Sequence, residues 1–437
     1  MSAPSRLPFA GRVFDIPATA PFLAALARGI WTEAAGDPLR LSRAIVLLPT
    51  RRACRAIGEE FLRLADGRPT LLPRLRPLGD VDDDLVADDD VGDIPPPITD
   101  LRRRLLLARA IMALPESEHG HGPGHAVELA GELGRLIDQM ETDRLSFDRL
   151  KDLVPDRYAE HWRQTLEFLA ILTRAWPEIL AAEGAIGAAD RRNRMLAALA
   201  QRWRATPPDA PVYAAGSTGS IPATADLLAT VAFLPTGKVV LPGLDRDLDG
   251  ASWDKLDESH PQFGLARLLK RLGVARSDVA DWPYVRAASE AARARATLVG
   301  EMMRPADTSD AWRKLPPISA AALDGLGRVD CANPREEAAT VALLMRDALE
   351  RPGRTAALVT PDRSLARRVT GELGRYGIAI DDSAGRPLAV FANFSMHYFG
   401  APPLSADHCG RFAAGLGGVI GDGRRFCTRI ALHRLTS

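Results

Sequence analysis

With 437 residues, 46% of them apolar and 26% charged, the chain has the composition of a globular protein too long for one compact core, which predicts two or three domains. No run approaches the roughly 18 uninterrupted apolar residues of a membrane span, and the opening MSAPSRLPFAGR lacks the apolar centre of a secretory signal, so a cytoplasmic location is expected. The formal net charge of zero argues against a freestanding, sequence-independent DNA binder, which would carry a basic excess.

A first α/β region covers residues 1–98. It begins with the short apolar segment Arg12–Ile16. Ala44–Leu48 then forms an apolar run without period, halted by Pro49, which reads as a strand buried on both faces of a parallel sheet. Thr50, Arg51 and Arg52 make a polar turn that opens an amphipathic helix. A helix start presents free N–H groups and the positive end of the dipole, so a hydroxyl and two guanidiniums there suit a phosphate. The same three residues also read as a Thr N-cap with two solvated arginines. Gly79–Asp93 holds eight Asp and runs into Pro95-Pro96-Pro97. It reads as a hydrated loop, with a divalent-cation site as the alternative.

Residues 99–205 read as a helical insertion. Leu129, Leu133, Leu136 and Met140 recur at helical spacing, as do Trp162, Leu166, Leu169, Trp176 and Leu180, and then Met195, Leu199 and Trp203. Tryptophans at these positions are core anchors rather than base-stacking platforms. His119, His121 and His125 lie in a glycine-rich stretch that reads as a loop, with a zinc site as the alternative.

The α/β pattern returns over 206–280. A strand from Pro211 leads to a turn of small residues, Gly216, Ser217, Thr218, Gly219 and Ser220, and then to a helix. Such a turn suits a backbone nest for phosphate or, equally, a tight βα connection. A second strand, Lys238–Leu241, ends near Asp245 and Asp247. Residues 281–326, rich in Pro and Arg, read as a linker. A fresh α/β domain, strand–helix–strand–helix–strand, is expected over 327–390.

No engine is visible. A motor on this scaffold needs G-x-x-x-x-G-K-S/T, and the one Gly-Lys pair, Gly237-Lys238, is followed by Val239 and has Ala232 where the first glycine belongs. No G-x-S-x-G, H-E-x-x-H or G-x-G-x-x-G occurs. Asp245 and Asp247 leave open a nucleotide-sugar or phosphate-using enzyme. Cys54, Cys331, Cys409 and Cys427 are scattered and read as free thiols.

Five segments together carry a resemblance: LLPTRRACRAIGEEF (47–61), LLPRLRPLGDVDDD (71–84), HWRQTLEFLAILTRAWPEIL (161–180), PVYAAGSTGSIPATADLLATVAFLPTGKVVLPGLDRDLD (211–249) and HPQFGLARLLKRLGV (260–274). In this order they resemble the alphaproteobacterial AddB family, a subunit of the AddAB helicase–nuclease that processes double-strand breaks for homologous recombination. The similarity runs from about Gly11 to Leu388. It implies an α/β fold of superfamily 1 helicase type, with RecA-like parallel sheets, a helical insertion and degenerate motor motifs. Thr50, Arg51 and Arg52 would then match a helicase motif that touches the single-strand backbone. Glu336-Glu337 and ALVTPDRSLARRV would open the second motor-like domain, with Thr360 or Pro361 where active helicases place an arginine. The implied partners are AddA, which supplies the ATP-driven motor, and single- and double-stranded DNA ends. The implied role is binding rather than catalysis.

Two departures qualify this. AddB proteins are more than twice as long, and their nuclease domain, with its metal-dependent site and four-cysteine iron–sulfur cluster, has no counterpart here, so no cofactor is expected in this chain. The similarity also stops after Leu388. Residues 391–437 hold five of the thirteen Phe and no Glu, which reads as a frame-shifted tail, or as a genuine alternative one. A non-functional truncated product is the second reading of the whole chain.

Overall fold

The computed structural model describes residues 12–79, 94–113, 122–147, 169 and 171–383. It divides into two compact units, Met1–Ala322 and Leu323–Ser437. In the first, six strands form one sheet: β1 (Val13–Ile16), β2 (Ile45–Leu48), β3 (Arg74–Pro77), β4 (Val212–Ala215), β5 (Gly237–Pro242) and β6 (Ala280–Asp281). Their order is β3-β2-β4-β5-β1-β6 and every pairing is parallel. This is the α/β architecture expected of a RecA-like fold. Strands from before and after the helical segment share the one sheet.

Continuous apolar runs need cover on both faces. α1 (Phe22–Glu33), α2 (Pro38–Arg43) and α3 (Arg51–Leu64) supply one layer, over Val46, Leu48, Tyr213, Ala215 and Val240. The helical segment follows as α4 (Asp100–Met112), α5 (Pro123–Asp143) and α6 (Trp176–Glu183), the last entered through a π-helical turn, Ile171–Ala175. α7 (Ala188–Ala205), α8 (Pro222–Phe233) and α9 (Phe263–Leu272) cover the other face, over Ile45, Leu47, Val212, Ala214, Val239 and Leu241. Trp203 belongs to this core, and Trp176 to a separate one with Leu107, Ile111, Leu133 and Ile137. Both tryptophans are anchors, as their spacing indicated. Trp162 and Leu166, the acidic stretch 80–93, His119 and His121, and the tail 391–437 lie outside the described residues. His125 sits in the first turn of α5, 3.8 Å from Glu128.

Gly237 is a packing requirement. A Cβ there would lie 1.9 Å from the Val231 carbonyl oxygen. Lys238 turns to the Glu33 carboxylate, 2.5 Å away. The Gly-Lys pair thus belongs to the amino edge of the sheet, the wrong edge for a phosphate loop. Among the described residues, no helix is long and apolar enough to cross a membrane.

Residues 281–326, read as a linker, are largely built into the first unit. Trp282 is buried beneath α1, and α10 (Glu290–Met302) leads to Arg304, also buried. Arg304 is held by Asp249 and Glu301, and its guanidinium keeps the Asp249 carboxyl down at about 2. A composition average hides two such anchors among prolines and arginines.

In the second unit α11 (Pro334–Leu349) and α12 (Arg363–Arg375) pack through Ala338, Ala342, Met345, Leu365, Val369 and Leu373. Asn333 caps α11, while Glu336 accepts the Ala332 N–H at 3.1 Å. The three strands expected here are not formed among the described residues. Alternate residues Ala356 and Leu358, and Ile378 and Ile380, still pack on the helices. Their period is that of strands, but no backbone ladder joins them.

One half-buried acid ties the helical segment to α7. Glu141 accepts the Asp190 N–H at 3.2 Å and fills the space over Gly187. Burial, then Asp190 and Asp138, push its pKa up to about 7 against the opposing pull of Arg103. A raised carboxyl pKa favours the folded state fully below about pH 4.5, and that contribution is lost as pH rises through about 7. Glu141→Gln keeps an acceptor without the charge. It is expected to match the wild type at pH 5 and to exceed it by about 1–2 kcal/mol at pH 8, measured by chemical denaturation.

Candidate nucleic-acid interface

β2 and β4 are neighbours, yet the chain leaves them in opposite directions. β2 continues through α3 to β3 on one side, and β4 through α8 to β5 on the other. Right-handed crossovers then place α3 and α8 on opposite faces, as observed. The carboxyl ends of the two strands therefore mark the topological switch point, where open α/β sheets have their ligand crevice.

Both turns singled out from the sequence line this crevice. Thr50 is the N-cap of α3, and its hydroxyl accepts the Ala53 N–H at 3.1 Å. Arg51 and Arg52 are the first two helical residues and are exposed. The first turn holds no acidic residue, so both guanidiniums stand against the positive end of the dipole. That placement costs roughly 0.3–1 kcal/mol for each. Across the crevice, Gly216 has φ +74° and donates to the Val240 carbonyl at 3.0 Å. A Cβ on Gly216 would lie 3.5 Å from Pro49, the residue before Thr50, and 3.1 Å from Phe22 of α1.

The rest of the second turn is built inward. Ser217 Oγ accepts the Gly219 N–H at 3.2 Å. Thr218 packs on Gly264 of α9, and Gly219, at φ +62°, packs so closely on Leu268 that a Cβ would come within 2.9 Å. Ser220 is exposed. The residues of α9 beneath this turn were not singled out as site residues. Their signal was the amphipathic, basic segment HPQFGLARLLKRLGV.

Other polar groups at this edge serve the fold. Asp245 Oδ1 accepts the N–H groups of Asp247 (2.9 Å) and Leu248 (3.0 Å), shaping the loop after β5. Asp15 is buried at the end of β1, accepts the Leu244 N–H at 2.8 Å, and is pushed by burial up to about 6. The segment after β1, Pro17–Pro21, enters α1 without glycine or lysine. At the opposite, amino edge a cavity of about 450 Å³ is lined by Glu33, Arg40, Arg43, Tyr213 and Lys238. Tyr213 and Lys238 both donate to Glu33 there, and burial raises the Tyr213 hydroxyl pKa well above its usual value. Among the described residues no group of three or more His, Cys, Asp or Glu is placed to hold a metal ion. No family model matches the chain, and no curated protein matches it.

Proposed function

We propose that this chain is an AddB-like, helicase-shaped binding subunit without a motor of its own. It holds single-stranded DNA at the crevice between β2 and β4 while a partner of the AddA kind drives translocation at double-strand breaks in the cytoplasm. The observation that carries this reading is that two phosphate-type turns, Thr50–Arg52 and Gly216–Ser220, follow neighbouring strands at the switch point of the sheet, with Gly216 beside Pro49, the residue before Thr50. The exposed arginines at the start of α3 add to it, because guanidiniums beside the free N–H groups of a helix start suit a phosphate backbone.

Fluorescence anisotropy with a labelled single-stranded oligonucleotide tests the reading. Affinity should fall with salt, with a log–log slope of about 0.7 for each phosphate neutralised. ATP turnover should be absent with or without DNA. Salt-independent or absent binding would reject the DNA role. DNA-stimulated hydrolysis that vanishes in Lys238→Ala would reject the loss of the motor.

A further inference from the structure

The crevice does not end at its two turns. α9 buries Leu265, Leu268, Leu269 and Leu272 and leaves Arg267 and Arg271 exposed on its other side. Because α9 is clamped to the Gly216–Ser220 turn through Gly264 and Leu268, this basic side begins where the turn ends. Arg267 and Arg271 line a cleft of about 40 Å³ together with Gly219 and Pro222. Arg271 shares the Asp226 carboxylate with Arg144, the residue that ends α5, whose guanidinium lies 2.7 Å away. Two guanidiniums on one carboxylate leave a net positive charge, and Arg267 adds a second.

We propose that Arg267, Arg271 and Arg144 form the second stretch of a single-strand track, carrying backbone phosphates from the crevice over the outer side of α9. The inference rests on the DNA-binding reading above and adds a direction to it. A strand enters at the start of α3, crosses the two turns and leaves along α9. Guanidiniums suit this task, since each can grip a phosphate through two N–H donors without reading the base.

The test compares oligothymidylates of about 4 and about 16 nucleotides, the span of site sizes for a single-strand module. Arg267→Ala with Arg271→Ala, in the full chain, should leave the short oligomer unaffected. It should weaken the long one roughly tenfold at low salt and lower its salt slope by about 1.4, two phosphates' worth. Lysine at both positions should restore most of the loss, and the unfolding midpoint should match the wild type. Unchanged binding of the long oligomer, while changes at Arg51 and Arg52 weaken it, would overturn the track and leave the crevice reading intact. Equal loss on both lengths, or a loss that lysine does not repair, would also overturn it. If the wild type binds neither oligomer, the track and the crevice reading fall together.

Discussion

Reversing the charge at the start of α3, Arg51→Glu with Arg52→Glu, is expected to lower affinity for single-stranded DNA by about 100-fold at low salt. Two attractive phosphate contacts are lost and two repulsions replace them, each change being worth a few-fold in an electrostatic interface. A urea midpoint measured on the same variant separates lost binding from lost folding. Glutamates at the first two helical positions interact favourably with the dipole, whereas the arginines oppose it. Thr50 remains as the cap. An anisotropy titration showing affinity within threefold of wild type would remove this turn from the interface.

Trp282→Ala is expected to cost about 4 kcal/mol of unfolding free energy in the first unit. The indole is 1% exposed and makes edge contacts with Phe14 (centroids 5.3 Å apart), Tyr284 (5.5 Å) and Tyr213 (6.4 Å). Its ring N–H donates to the Ala25 carbonyl at 3.0 Å. The fit against α1 is close enough that a Cβ on Gly29 would lie 2.3 Å from the ring. Truncation leaves a void that a helix and a sheet cannot jointly collapse into. Urea denaturation should show the loss in midpoint with little change in slope, and Trp282→Phe should recover part of it. A loss below about 1 kcal/mol would show the site to be more compliant than its packing implies.

Much of this fold could be read from residues because β2, β4 and the Val239–Leu241 part of β5 are short apolar runs, and because α3 announces itself with Thr50. β3 was not legible. Its sequence, Arg74-Leu75-Arg76-Pro77, is half-polar because it is an edge strand with little to bury. β6 has two residues, too few for any period. Trp282 sat unnoticed in a stretch whose prolines and arginines suggest a connector. The site was legible only in parts. Each turn carried its own chemistry, but their adjacency depends on β2 pairing with β4, Ile45 with Val212, which no local pattern encodes. The same holds for Arg267 and Arg271. They are ordinary exposed residues of an amphipathic helix until α9 docks beneath the second turn.

The order of strands also sets a schedule for synthesis. β1 comes before the other described strands in the chain, yet its two neighbours are β5 and β6, whose first residues are Gly237 and Ala280. Until then β1 lacks both of its sheet neighbours, and Ile16 has only the cluster built from the helices and strands that precede them. The helices between Asp100 and Glu183 have a core of their own and can condense during this wait. Closing the resulting loop adds entropy only logarithmically with length, so stability tolerates the arrangement while the rate of folding bears its consequence. A chain interrupted before Gly237 has no strand to set beside its first one.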